Sequence, residues 1–183
     1  MTVEALERAV QREECEHMAV LLDSVDELPD LLASFYHLGE NRNGWLVHGS
    51  LPGHAAADRE ALVRSGLEVD RLEAEGRLAI LELDLTVTPE EFVAPWARML
   101  DERMSEGFDA LWFARFPIGP TDDDVNGVVP FEDAWMRCFV GRRVVTLCPY
   151  IIGDVDRAGL ERRRRQIAEV HDLVIVPEDA SAA

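Results

Sequence analysis

The sequence predicts a three-layer α/β fold, a mostly parallel sheet with helices on both faces. Two observations carry the prediction. Short runs that are almost wholly apolar recur along the chain, the composition of strands buried on both sides. Between them lie amphipathic stretches with helix start and stop signals, so strand and helix alternate as they do when parallel strands are joined by right-handed crossovers.

The elements follow in order. Residues 1–16 are expected to form a helical extension ahead of the domain proper, which spans 17–177 and leaves a loose tail over 178–183. Met18–Leu22 reads as the first strand. Ser24–Val25–Asp26–Glu27 is a capping box, after which Leu28, Leu31, Leu32 and Phe35 repeat at helical spacing until Gly39 stops the helix. Trp45–His48 is the second strand. A helix over Asp58–Ser65 and a short partner at Val69–Glu75 lead to a third strand, Leu78–Leu83. Thr88–Pro89–Glu90–Glu91 is another capping box, with proline at the first helical position. The helix it opens carries Phe92, Trp96, Met99 and Leu100 on one face, ends at Gly107, and should lose a backbone hydrogen bond and kink at Pro95. Ala110–Phe116 is the fourth strand, whose alternation is expected to turn Trp112, Ala114 and Phe116 the same way. A helix over Phe131–Phe139 after Pro130, a strand at Val144–Leu147, a helix over Arg157–Val170 and a strand at Leu173–Val176 complete the chain.

Composition narrows the function. With 183 residues, 48% of them apolar, the chain can bury one ordinary core, which excludes wholesale disorder. No apolar run approaches the roughly 20 residues that cross a bilayer. The N-terminus is too charged for a signal peptide, so the mature chain is expected to begin where the gene does. Cysteines at 15, 138 and 148 fit reduced thiols in a cytoplasm rather than a disulfide framework. Acids outnumber bases 36 to 18, giving a net charge of −18, which opposes binding to nucleic acid or to an anionic membrane. Every base is arginine. Without lysine there is no Schiff-base chemistry and no phosphate-loop lysine.

The loop after the first strand, Asp23–Ser24–Val25–Asp26–Glu27, has no glycine and three carboxylates, where a nucleotide-binding sheet would place a phosphate cradle. It should repel a triphosphate. Later strand ends are aromatic instead. Trp112, Phe116, Phe131 and Trp135, with Arg115, Glu132, Cys148 and Tyr150 as polar groups, have the make-up of a small-molecule pocket. The same aromatics would equally serve as packing between sheet and helices, the commoner role of Trp112 and Trp135.

Other constellations carry less. Asp122–Asp123–Asp124–Val125–Asn126–Gly127 has the oxygen spacing of a calcium loop, but the preceding segment is strand and proline rather than helix, so a solvated acidic loop is expected. Cys15–Glu16–His17 and the remaining cysteines match no zinc spacing, and neither metal nor cofactor is expected. Arg162–Arg165 should face water on a helix whose Leu160, Ile167 and Val170 turn inward, with a docking patch for an acidic partner as the rival reading. No nucleophile–base pair or hydrolase motif stands out, so no catalytic residue is assigned.

His17 opening the first strand, Gly39–Glu40 before the second, Gly66 and Gly76 before the third, Gly107 before the fourth, then Phe131–Glu132 and Cys148–Pro149–Tyr150, form an order that resembles the MEDS (methanogen/methylotroph DcmR sensory) domain family from about His17 to Pro177. The resemblance implies a degenerate RecA/KaiC-like fold without a phosphate loop, and a sensory domain in signalling or transcription control that binds a small apolar or weakly polar ligand. It adds His17 to the candidate ligand-binding residues. Phe131 stands where a tyrosine is frequent, and Ala114–Arg115–Phe116–Pro117 departs from the family's glycine–glutamate–methionine signature. Two rival functions are a module docking on a sigma-factor regulator or transcription factor, and a residual nucleotide-binding enzyme.

Overall fold

The structure, a computed structural model, describes Leu6 and residues 17–119, 121–153 and 157–176. The expected N-terminal helix (Leu6 apart), Cys15 and the tail from 178 lie outside the described residues. The elements are β1 (His17–Leu22), a 3-10 turn (Val25–Glu27), α1 (Leu28–Asn41), β2 (Trp45–Ser50), α2 (Ala55–Arg64), α3 (Val69–Ala74), β3 (Leu78–Glu82), α4 (Pro89–Ser105), β4 (Leu111–Arg115), α5 (Asp122–Phe139), β5 (Val144–Ile151), α6 (Arg157–Ala168) and β6 (Leu173–Ile175). Among the described residues, no helix is long and apolar enough to cross a membrane.

The strands form one six-stranded sheet in the order β3-β2-β4-β5-β1-β6, and every pairing is parallel. From β1 the chain steps one way across the sheet to β2 and β3, then reverses to reach β4, β5 and β6. Because right-handed crossovers that run in opposite directions lay their helices on opposite faces, this reversal makes the fold three-layered. Leu28, Leu31, Phe35 and Tyr36 of α1, Leu62 of α2 and Leu72 of α3 pack on one face with Met18, Val20, Leu46 and Trp112. Trp96 and Leu100 of α4, Trp135 and Phe139 of α5 and Ile167 of α6 pack on the other with Ala19, Leu21, Val47 and Phe113. Strands β1, β2 and β4 are buried along their whole length. The edge strand β3 is only partly covered.

Close approach explains two glycines. A Cβ on Gly39, near the end of α1, would lie 2.7 Å from the Trp112 ring, and one on Gly44 would lie 2.3 Å from it. Only glycine lets the end of α1 and the entry to β2 close over that indole.

Three expectations are corrected. Phe116 does not share a face with Trp112 and Ala114: the strand ends at Arg115, and Phe116 joins the opposite layer. The helix expected to start at Phe131 starts at Asp122 and runs through Pro130. Its start is set by Thr121, whose Oγ1 accepts from Asp124 N at 3.1 Å while Asp124 Oδ2 accepts from Thr121 N at 3.0 Å. The acidic run, expected as a solvated loop, is thus the first turn of a helix, where negative charge suits the dipole. The helix α4 runs through Pro95 to Ser105. Thr121→Ala should cost about 1 kcal/mol of stability, read by urea denaturation, because it leaves the first-turn amide of Asp124 without its side-chain acceptor.

Candidate functional site

Strand parity assembles the site. His17 pairs with Thr146, and Thr146 with Phe113, so His17, Thr146, Cys148, Tyr150 and Arg115 all face the α4–α5–α6 layer. α5 lowers Glu132 among them. Among the described residues, the Glu132 carboxylate takes its hydrogen-bond partners from this set. Arg115 Nε donates to Oε1 at 2.8 Å, and the Arg115 guanidinium makes a second, shorter bond to the same oxygen. Tyr150 donates to Oε1 at 3.4 Å. Oε2 lies 2.9 Å from His17 Nε2 and 3.4 Å from Cys148 Sγ, and Cys148 Sγ is 3.3 Å from His17 Nε2.

All of these side chains are buried. Burial by itself would raise the Glu132 carboxyl, but Arg115 and then His17 hold it well below the usual carboxylate range. Burial would depress His17; contact with Cys148 and Glu132 outweighs it and pushes the imidazole up to about 10. His171, from the turn before β6, completes the cluster. Its ring lies 4.1 Å from that of His17, and burial together with the His17 charge pulls it down to about 3. The Arg115 guanidinium also sits 5.0 Å from the Tyr150 ring centroid. Burial, with Glu132 next, raises the Tyr150 hydroxyl well above its ordinary range.

Beside this cluster lies a narrow cavity lined by Leu83, Leu85, Phe92, Phe113, Phe116, Val128, Phe131, Trp135 and Thr146, with Arg115 and Glu132 as its charged wall. Its free volume is about 30 Å³. A more open groove between β3 and α4 shares Leu83 and Phe92 with it. On the other side of Trp135 a second cavity is lined by His17, Met136, Phe139, Val140, Val144, Thr146 and Asp172. Trp135 separates the two, stacked on Phe113 with ring centroids 4.6 Å apart and its Nε1 donating to Thr146 Oγ1 at 2.9 Å.

Of the residues singled out in the sequence, His17, Arg115, Glu132, Cys148 and Tyr150 come together in the polar cluster, and Phe116, Phe131 and Trp135 line the adjoining cavity. Trp112 does not join them. It lies across the sheet against Phe35, with centroids 5.1 Å apart, in the opposite layer. His171 escaped the sequence reading because a lone histidine before a three-residue strand carries no spacing signal. The cluster lies on the sheet face that α5 and α6 cover, reaching from His17 at the start of β1 to Arg115 at the end of β4.

Two other features take their place. In the acidic first loop Glu27 Oε1 accepts from the backbone of Asp23 and Ser24, each at 3.2 Å, and Ser24 Oγ accepts from Asp26 N at 3.1 Å. These amides are engaged by the loop's own side chains. The arginine run of α6 is split, with Arg163 buried and Arg162, Arg164 and Arg165 exposed, because successive helical residues point about 100° apart.

Residues 16–172 match the family model described as MEDS, the MEthanogen/methylotroph, DcmR Sensory domain. No curated protein matches the chain.

Proposed function

The chain belongs to the MEDS family, a family of sensory domains, and we propose that it is a non-catalytic sensor whose ligand is a small apolar or weakly polar molecule. The observation that carries this reading is the cavity between α4, α5 and the sheet: aromatic walls closed on one side by the Arg115–Glu132 pair. Apolar walls with few polar groups suit a compact, uncharged molecule, and the small free volume excludes a large one. Arg115, Glu132 and Tyr150 would orient a weak polar handle, while Phe116, Phe131 and Trp135 enclose the rest.

The same arrangement suggests how occupancy is reported. Glu132 ties α5 to β4 through Arg115, to β1 through His17 and to β5 through Cys148 and Tyr150. A ligand that draws on one of these bonds changes the restraint on α5, a difference that a partner protein in a signalling or transcriptional pathway could read.

A thermal-shift screen of small neutral organic molecules, followed by native mass spectrometry, tests the proposal. A ligand at about 100 times its Kd should stabilise by ~2.7 kcal/mol, roughly 5–10 °C for a chain of this size. Val128→Phe, which fills the cavity, should remove that response while the fold persists. The reading fails if no molecule shifts the melting temperature, or if Val128→Phe responds as the wild type does; a stable protein partner with no ligand response would instead favour a docking module.

A further inference from the structure

We propose that His17, Glu132, Cys148 and His171 form a binding site for a divalent transition-metal ion, with zinc the ion best suited to the donors. All four are buried, and one potential ligand atom from each lies within 4.8 Å of the others. Two imidazoles, a thiol and a carboxylate are a borderline-soft donor set that favours zinc over magnesium or calcium. In a tetrahedral site with metal–ligand bonds of about 2.0–2.3 Å, neighbouring ligand atoms stand roughly 3.3–3.8 Å apart. The distances of 3.3 Å from His17 Nε2 to Cys148 Sγ and 3.4 Å from Cys148 Sγ to Glu132 Oε2 already match. The 2.9 Å from His17 Nε2 to Glu132 Oε2 needs to open only slightly.

Independent observations point the same way. His171 Nδ1 donates to Ile167 O at 2.8 Å, which leaves its Nε2 as a bare lone pair, and among the described residues that buried atom has no hydrogen-bond partner. A buried acceptor without a donor is costly, and a metal would satisfy it. A histidine that gives its second nitrogen to a backbone carbonyl is also how proteins orient an imidazole toward a metal. Glu132 is held in a similar way: Arg115 and Tyr150 engage Oε1 and leave Oε2 facing His17 and Cys148. His17 also borders the second cavity, beside Asp172. The donors come from β1, α5, β5 and the turn before β6, so no local spacing in the sequence could announce them.

The inference does not rest on the organic-ligand reading, and the two are separated by running the neutral-molecule screen on chelator-treated protein. The experiment is titration of the full chain with Zn²⁺ against a chromophoric chelator, and with Co²⁺ followed by absorption spectroscopy. We expect one ion per chain, a thiolate-to-cobalt charge-transfer band and the intense visible bands of a tetrahedral site. Cys148→Ser should abolish the charge-transfer band, His171→Gln should weaken binding at least about tenfold, and Cys138→Ser should change neither. Circular dichroism checks that each variant folds. Absence of stoichiometric binding, or binding unchanged in folded Cys148→Ser and His171→Gln, overturns the proposal. So does an octahedral cobalt spectrum without a thiolate band in the wild-type protein, a result that needs no variant.

Discussion

Glu132→Ala is expected to destabilise the protein by about 3–5 kcal/mol, measured by urea denaturation as a lowered midpoint with an unchanged slope. The size follows from what the substitution leaves behind. Arg115 is buried, and its guanidinium has Glu132 as its ion-pair partner; its other bond is to Phe116 O at 3.2 Å. His17 is buried as well and loses the same carboxylate. Deleting the anion therefore strands positive charge in the interior, which costs more than the pair itself contributes. The double variant Glu132→Leu/Arg115→Met, which removes both charges and keeps the volume, should recover much of the loss. A double variant no more stable than Glu132→Ala would show that the cost lies in packing and not in the stranded charge.

Trp112→Ala should cost a similar amount, about 3–5 kcal/mol, through a different mechanism. The indole is 1% exposed and fills the space between β4 and the end of α1, where Gly39 and Gly44 leave room for nothing else. Its removal opens a cavity in the layer opposite the polar cluster. The response of the protein to a small neutral ligand and the cobalt spectrum should therefore be unchanged at temperatures where the variant is folded. A variant of near-normal stability that had lost its ligand response would place Trp112 at the site and refute the packing role. Both experiments use the same denaturation measurement, yet they separate a charge effect from a volume effect.

Legibility in the sequence varied by residue. The strand at Met18–Leu22 and those after it could be read because burial on both faces demands continuous apolar runs, a local property of the chain. Thr88 and Ser24 marked turns and helix starts because a capping box is complete within four residues. The start of α5 was missed although Thr121 and Asp124 also make a box. There the surrounding prolines and the calcium-like oxygen spacing carry a competing signal. Pro130, with no N–H to give, costs one backbone bond without ending a helix that packs Val125, Val128 and Trp135 into the core.

The candidate site divided in the same manner. Arg115, Glu132, Cys148 and Tyr150 could be singled out as polar groups among apolar neighbours, and the family resemblance added His17. That Trp112 turns away from them follows from period-two alternation: Arg115 and Phe113 share one face, and Trp112 takes the other. His171 was beyond reach, since its only connection to His17 is through space.

By itself the sequence determined the fold class, the placement of the strands, the absence of lysine chemistry and the acidic first loop, because each rests on residue type or on neighbours a few positions away. The tertiary structure alone decided which polar groups meet. A buried carboxylate is tolerated only where a cation and hydrogen-bond donors reach it, and here they arrive from β4, β1 and β5, elements brought together by the strand order and by the register of the parallel pairs.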